Sequence, residues 1–255
     1  MARIGFIGTG TISGAMVEGL SLATVAPEIL VSPRSETVST RLAATYPNVR
    51  RAASNAEVAT AEIVVLGMRP AQLEAAIAGL VFGPEQIVLS LIAGLSLADV
   101  QAIAPRSLVA RAVPMPGVAR AIGPLTLYPA VPELVDLLSP LGDLFVVENE
   151  TRLNMGGLSA FLSSYFELQN RLIAQAIASG VEPEEAWQFV VSLFGMLADT
   201  ARVTPIEAFG RLVEEHQTKG GLNERVRAKL LASGWFEALP EALTAVTTLS
   251  WKTLG

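Results

Sequence analysis

The chain has no cysteine and a single histidine, His216. The first absence excludes disulfides, thiolate nucleophiles and cysteine-based metal centres. The second leaves His216 with no partner ligand for a metal and no serine and acid placed to build a hydrolytic triad. No metal is expected, and His216 reads as a surface or packing residue. Charge is scarce too: 16% of the 255 residues are Asp, Glu, Lys or Arg, against 51% hydrophobic, and the net charge is −6 with no basic run. A nucleic-acid partner, which needs a positive face, is therefore not expected. Still, no stretch free of those charged residues exceeds 14 positions, short of the roughly 20 that a membrane-spanning helix needs. The opening apolar segment is interrupted by glycines and does not resemble a signal peptide. The expectation is a cytoplasmic protein with no membrane association. A composition this apolar also suggests surface hidden in an oligomer.

Through the first part of the chain, short apolar runs alternate with helical periodicity. Strands are expected over 3–7, 28–32, 63–68, 86–92 and 108–113, with helices over 12–23, 37–45, 71–80 and 96–103. Such alternation implies parallel strands joined by right-handed crossovers. Two further strands, 125–128 and 144–147, flank a helix over 131–138. After Glu150 strand signals stop, and helices are expected over 158–179, 184–200, 223–233 and 239–253, with a capping-box pattern at Thr204-Pro205-Ile206-Glu207. Trp187, Phe189 and Phe194 fall at helical spacing and read as core or interface. The fold class is α/β, with an α/β domain over 1–150 followed by an all-α domain over 151–255.

The glycine-rich turn Gly8-Thr9-Gly10-Thr11-Ile12-Ser13 follows the first strand and opens the first helix. Gly8 permits the tight turn and Gly10 lets backbone approach a pyrophosphate. Ser13 is small enough for the helix to pack near the strand. Amide groups at the helix start then face the phosphates. These features make the first domain a Rossmann-type dinucleotide-binding domain. The end of the second strand selects the cofactor, because NAD sites place an acid there for the ribose 2′-hydroxyl. Here the residues are Val31-Ser32-Pro33-Arg34-Ser35, and the first acid is Glu36. Arg34 can pair with a 2′-phosphate, and Ser32 or Ser35 can donate to it, so NADP(H) is the expected cofactor.

Three more segments end strands: Leu66-Gly67-Met68-Arg69-Pro70, Leu91-Ile92-Ala93-Gly94 and Arg111-Ala112-Val113-Pro114-Met115-Pro116-Gly117. Ligands of open α/β sheets bind beyond such carboxyl ends. Separately, Thr218-Lys219-Gly220-Gly221-Leu222-Asn223 precedes a helix, where two glycines and a helix start offer amide donors to a carboxylate.

In these motifs the chain resembles the pyrroline-5-carboxylate reductases. Their GFIGxGxM opening resembles Gly5-Phe6-Ile7-Gly8-Thr9-Gly10-Thr11-Ile12, and their KPQ segment resembles Arg69-Pro70-Ala71-Gln72 with one residue inserted. Their SxxAG, RxMPN and SPGGxT segments resemble, in order, Ser90 to Gly94, Arg111 to Gly117 and Thr218 to Asn223. The resemblance implies an NADPH-dependent reductase of a cyclic imine acid whose helical second domain dimerises and carries substrate. It implies cofactor contacts from Ile7, Gly8, Thr9, Gly10, Thr11, Ile12, Ser32, Asn55, Gly67, Met68, Arg69, Pro70, Leu91, Ile92 and Ala93, to which the residue reading adds Arg34 and Ser35. Substrate contacts would come from Gly220, Gly221, Leu222 and Asn223, with Asn223 hydrogen-bonding the imine as the catalytic residue.

The chain departs from the family at several points. Asn223 replaces a substrate threonine, Glu215 an asparagine and Gly117 the asparagine of MPN. Residues 158–165 read Leu-Ser-Ala-Phe-Leu-Ser-Ser-Tyr in place of the SGSGPAY stretch. A negative Glu215 would repel a carboxylate. A reductase or dehydrogenase of another small carboxylate, or a non-catalytic NADP-binding protein, are the alternative readings.

Overall fold

The structure, a computed structural model, describes residues 2–247. Eight strands form one sheet: β1 (Ile4–Ile7), β2 (Ile29–Val31), β3 (Val49–Arg51), β4 (Ile63–Leu66), β5 (Ile87–Ser90), β6 (Leu108–Pro114), β7 (Pro124–Tyr128) and β8 (Asp143–Val146). Their order is β3-β2-β1-β4-β5-β6-β7-β8, so the chain reverses direction across the sheet beside β1. That reversal is where an open α/β sheet forms its ligand crevice.

β1 to β6 are parallel, as the βα alternation predicts, and β8 is parallel to β7. β7 runs antiparallel to β6. The reason lies in the connection: only residues 115–123 join the two strands, with a 3₁₀ turn at Pro116–Arg120. A parallel return needs a crossover of a dozen residues or more. A Cβ on Gly117 would lie 2.3 Å from the Ile122 carbonyl oxygen, so this turn admits glycine at that position and crowds out any side chain.

Successive side chains of a strand point to opposite faces, and the inner strands are apolar on both. Ile4, Phe6, Ile29, Val31, Ile63, Val65, Ile87 and Leu89 enter one core cluster, against Met16, Val17 and Leu20 of α1 (Thr11–Leu22) and Leu42 of α2 (Glu36–Thr45). Ile7, Leu30, Val64, Leu66 and Val88 enter the other, with Val58 of α3 (Asn55–Val58), Leu73 and Val100. A sheet covered on both faces is what near-continuous apolar strands specify.

β3 and α3 escaped the sequence reading. β3 is a three-residue edge strand whose last two residues are exposed arginines, Arg50 and Arg51, so it carries no apolar run. α3 had a signal, since Ser54-Asn55-Ala56-Glu57 has the capping-box pattern: Ser54 Oγ accepts from Glu57 N–H at 3.2 Å, while the Glu57 carboxylate reaches one residue past the cap and accepts from Ala53 N–H at 2.7 Å.

The chain divides into two compact units, the first reaching Leu158 and the second spanning Ser159–Val246. Helical turns at Glu150–Leu153 and Asn154–Phe161 begin in the first unit. Leu153 is buried there, and Glu150 accepts from Leu97 N–H at 2.6 Å and from Arg111 Nη1 at 2.7 Å. Helices of the second unit include Leu162–Ala178, Pro183–Val203 and Leu222–Ala232. The first ends at Gly180, with φ +91°, in a Schellman arrangement of Gly180 N–H to Ile177 O and Val181 N–H to Ala176 O. The capping box expected at Thr204 is not formed, because the Thr204 hydroxyl donates to Thr200 O at 2.7 Å and so finishes the preceding helix. The last helix, Trp235–Thr247, starts after Gly234 (φ +72°) and carries Pro240 inside it. The expected stretch 239–253 therefore begins late, and its end lies outside the described residues.

Candidate cofactor-binding site

The first unit carries a cleft of about 630 Å³ at the carboxyl ends of β1, β2, β4 and β5. It is lined by Ile7, Gly8, Thr9, Gly10, Thr11 and Ile12 from the glycine-rich turn, and by Ser32, Arg34, Ser35 and Asn55. Gly67, Met68, Arg69, Pro70, Leu91 and Ala93 complete the expected set, and Ser13, Gln72 and Ala76 join it. Ile92 does not line it. Side chains alternate beyond β5, so Leu91 and Ala93 reach the cleft while Ile92, 3% exposed, packs with Val88 and Leu95 in the core.

The turn is built by two glycines packed against each other. Gly8 has φ +93°, and a Cβ there would lie 2.8 Å from Gly67 O. A Cβ on Gly67 would in turn lie 2.0 Å from Ser13 Oγ. Ser13 donates to Gly67 O at 3.3 Å and so ties the start of α1 to the end of β4. Gly10 caps α1 without a side-chain hydrogen bond, and space above it is open. The first amides of the helix are left to solvent or a ligand, an arrangement suited to an anion.

Beyond β2 the polar groups divide into structural and free. Thr9 is fully buried and donates to Ser32 O at 3.4 Å. Ser32, 1% exposed, donates to Asn55 Oδ1 at 2.8 Å, and Asn55 Nδ2 donates to Ala76 O at 2.9 Å. The Ser32 hydroxyl proton is thus committed within the protein. This corrects the expectation that Ser32 could donate to a phosphate; Arg34 and Ser35 also line the cleft. Arg34 and Arg69 are exposed and make no ion pair with a described residue. Behind Asn55, the Ala53 amide and then the Arg50 guanidinium hold the Glu57 carboxyl below its ordinary value of 4.5.

The segment from Arg111 to Gly117, expected beside the cleft, is absent from its lining. Arg111 sits mid-strand in β6, and its charge is paired with Glu150. Glu150 was not singled out by the sequence; no local motif marks a partner 39 residues away.

The expected substrate residues lie in the second unit, at the start of Leu222–Ala232. Gly220 has φ +73°, and its N–H donates to the Glu224 carboxylate. Gly221 N–H donates to Thr218 O at 2.7 Å. Both glycine amides are therefore engaged by the chain itself, which corrects the expectation of two amides presented to a ligand. Leu222 is 79% exposed. Asn223 Nδ2 donates to His216 O at 2.8 Å, which leaves Oδ1 as an acceptor. His216 is exposed, with Nδ1 2.8 Å from Leu212 O. The described residues include no group of three His, Cys, Asp or Glu able to hold a metal, and no helix long and apolar enough to cross a membrane.

Solved structures similar to the chain over nearly its whole length share this architecture. A pyrroline-5-carboxylate reductase from Streptococcus pyogenes is 19% identical, with 97% of this chain and 99% of that one covered at a TM-score of 0.82. A Plasmodium falciparum pyrroline carboxylate reductase with NADP bound is 14% identical, with 100% and 98% covered at 0.83. The enzyme from Coxiella burnetii is 21% identical, with 100% and 98% covered at 0.77. The fold is that of the pyrroline-5-carboxylate reductases. Residues 3–94, under half of the chain, also match the family described as NADP oxidoreductase coenzyme F420-dependent. That stretch spans β1 to the end of β5 and holds every cleft residue. No curated protein sequence matches the chain. In the reductase fold the cleft occupies the Rossmann half, and the glycine pair with Asn223 the helical half.

Proposed function

We propose that the protein is an NADP(H)-dependent reductase of a C=N bond. The observation that carries this reading is the cleft itself: an uncapped helix start behind Gly10, an Arg34 beyond β2 that pairs with no described residue, and no acid among the lining residues. A pyrophosphate suits the amides of Thr11 and Ile12, and a 2′-phosphate suits Arg34 and Ser35. Bound there, the nicotinamide would supply hydride. The chain's own contribution is to hold the cofactor, exclude water and orient the imine, which needs position more than a strong acid or base. Asn223 fits this role. With Nδ2 committed to His216 O, its Oδ1 can accept a hydrogen bond from a protonated imine nitrogen.

The substrate of the first reading is a cyclic imine acid such as 1-pyrroline-5-carboxylate, reduced to L-proline. One observation favours a second reading, an imine without a carboxylate. Glu224 already fills the Gly220 amide with a carboxylate of the chain, and Glu215 adds negative charge nearby in sequence. NADPH oxidation over a panel of cyclic imines, with and without a carboxylate, tests both. Turnover of the acids supports the first, and turnover restricted to uncharged imines supports the second. No NADPH oxidation across the panel would leave a non-catalytic NADP-binding protein. In either enzyme reading the second unit is also a homodimerisation surface. Phe166, Trp187, Phe189, Val203 and Ile206 are 53–86% exposed, large apolar side chains that a second copy would cover.

A further inference from the structure

Cofactor choice at the end of β2 also depends on the neighbouring edge strand. We propose that Arg51 is a positioning residue for the NADP 2′-phosphate: it holds Pro33 and Glu36 so that Glu36 stays away from the phosphate position and Arg34 stays unpaired. The inference rests on the proposed NADP(H) reading.

Arg51 ends β3, in register with Val31, the last residue of β2. Its side chain reaches over the turn that follows β2. Nε donates to Ser39 Oγ at 3.1 Å, Nη2 donates to Pro33 O at 3.1 Å, and Nη2 lies 3.5 Å from Glu36 Oε1. Ser39 is fully buried and donates its own proton to Glu36 O at 3.2 Å. The two directional bonds, one to a buried hydroxyl, fix the guanidinium. The ion pair is weak by itself, since the Glu36 side chain is 80% exposed, but the fixed guanidinium biases that carboxylate toward Arg51.

Glu36 matters because it is the first acid after β2, the nearest equivalent of the carboxylate with which NAD sites hold the 2′-hydroxyl. It lies two residues from Arg34. Without Arg51, Glu36 is free to pair with Arg34, which would cancel the cation and bring a negative charge to the position of the phosphate. NADPH would lose affinity, and NADH, with no 2′-phosphate, would not.

The test is equilibrium binding of NADPH and NADH, by nicotinamide fluorescence, to the full chain and four variants. Arg51→Met should weaken NADPH about tenfold, the loss of roughly one charge-assisted interaction, with NADH within about twofold. Arg51→Met combined with Glu36→Gln should recover most of the NADPH loss. A merely structural role would weaken both cofactors alike and would not be rescued at Glu36. Arg51→Lys keeps the charge but cannot make both anchoring bonds, so it should lose about threefold; it carries the test if the Met variant fails to fold. An unchanged NADPH-to-NADH ratio in a folded Arg51 variant, alongside a lowered ratio in Arg34→Ala, overturns the inference alone. An unchanged ratio in Arg34→Ala as well overturns the cofactor reading with it.

Discussion

Replacing Gly5 by alanine should weaken cofactor binding from a position outside the cleft. A Cβ on Gly5 would lie 2.4 Å from Val58 O, 2.8 Å from Val58 Cγ1 and 3.1 Å from Ala61 Cβ. The nearest of these is a backbone oxygen, which no side-chain rotation can remove, and an unstrained contact needs about 1 Å more. α3 must therefore lift from β1. Asn55 opens that helix, and its Oδ1 is the acceptor for Ser32 Oγ at 2.8 Å. A shift of about 1 Å takes that bond beyond hydrogen-bond range. Overpacking costs about 1–3 kcal/mol and the lost neutral hydrogen bond about 0.5–1.5 kcal/mol. Together these are about 1.5–4.5 kcal/mol, which for a chain of this length lowers Tm by roughly 3–18 °C. The Kd for NADPH should rise several-fold as the Ser32 end of the cleft loosens. Gly19→Ala is the control. Its Cβ would lie 2.2 Å from Val118 O, so the clash is as severe, but Val118 packs in the opposite core cluster from α3. It should lower Tm comparably and leave NADPH affinity nearly intact. Thermal melts and fluorescence titration give both readouts. A Gly5→Ala protein within about 2 °C of wild type, or equal losses of affinity in the two variants, would refute the reasoning.

The remaining expectations concern charge and assembly. Arg34→Ala should cost NADPH about 1.5–3 kcal/mol, roughly 10- to 150-fold in Kd, and leave NADH unaffected; equal affinities of the wild type for the two cofactors would refute this. Because Ala53 N–H and Arg50 lower the Glu57 pKa in the folded state, the stability Glu57 contributes is complete above its ordinary value of 4.5 and fades as pH falls through the lowered one. Melting curves between pH 3 and 6 should therefore show a shallower acid loss in Glu57→Gln than in wild type, and parallel curves would count against the assignment. Analytical ultracentrifugation at micromolar concentration should give at least twice the 26.8 kDa of one chain, and a monomer would remove the dimerisation proposal.

The Rossmann half was legible because its determinants are local. A strand, a positive-φ glycine, a small Ser13 and a helix start lie within a dozen residues, and each is a steric requirement that shows in residue type. What the sequence hid were contacts between distant segments. Arg111 looked like part of a strand-end motif, yet its charge belongs to Glu150. Ser32 looked like a phosphate donor, yet its hydroxyl donates to Asn55 Oδ1. β3 was invisible for a related reason: an edge strand buries too little to need an apolar run, and its two arginines serve neighbours instead, Arg50 pairing with Glu57 and Arg51 reaching Pro33 and Glu36.

Two of the misplaced residues were within reach of simple geometry. Alternation beyond a strand predicts that Leu91, Ile92 and Ala93 cannot all face one cleft, and the middle residue, a branched apolar side chain, belongs to the core. At the helical end, an acid at the third helical position reaches back to a backbone amide at the helix start, as Glu57 does at Ala53, the residue before the cap, and Asp99 does at Ser96, the cap itself. Glu224 stands at that same third position after Gly221 and takes the Gly220 amide. A glycine pair followed three residues later by an acid is thus as well suited to capping its own helix as to holding a ligand's carboxylate. In this chain the two uses compete for one N–H group, so the carboxylate of any substrate bound there must first displace that of Glu224.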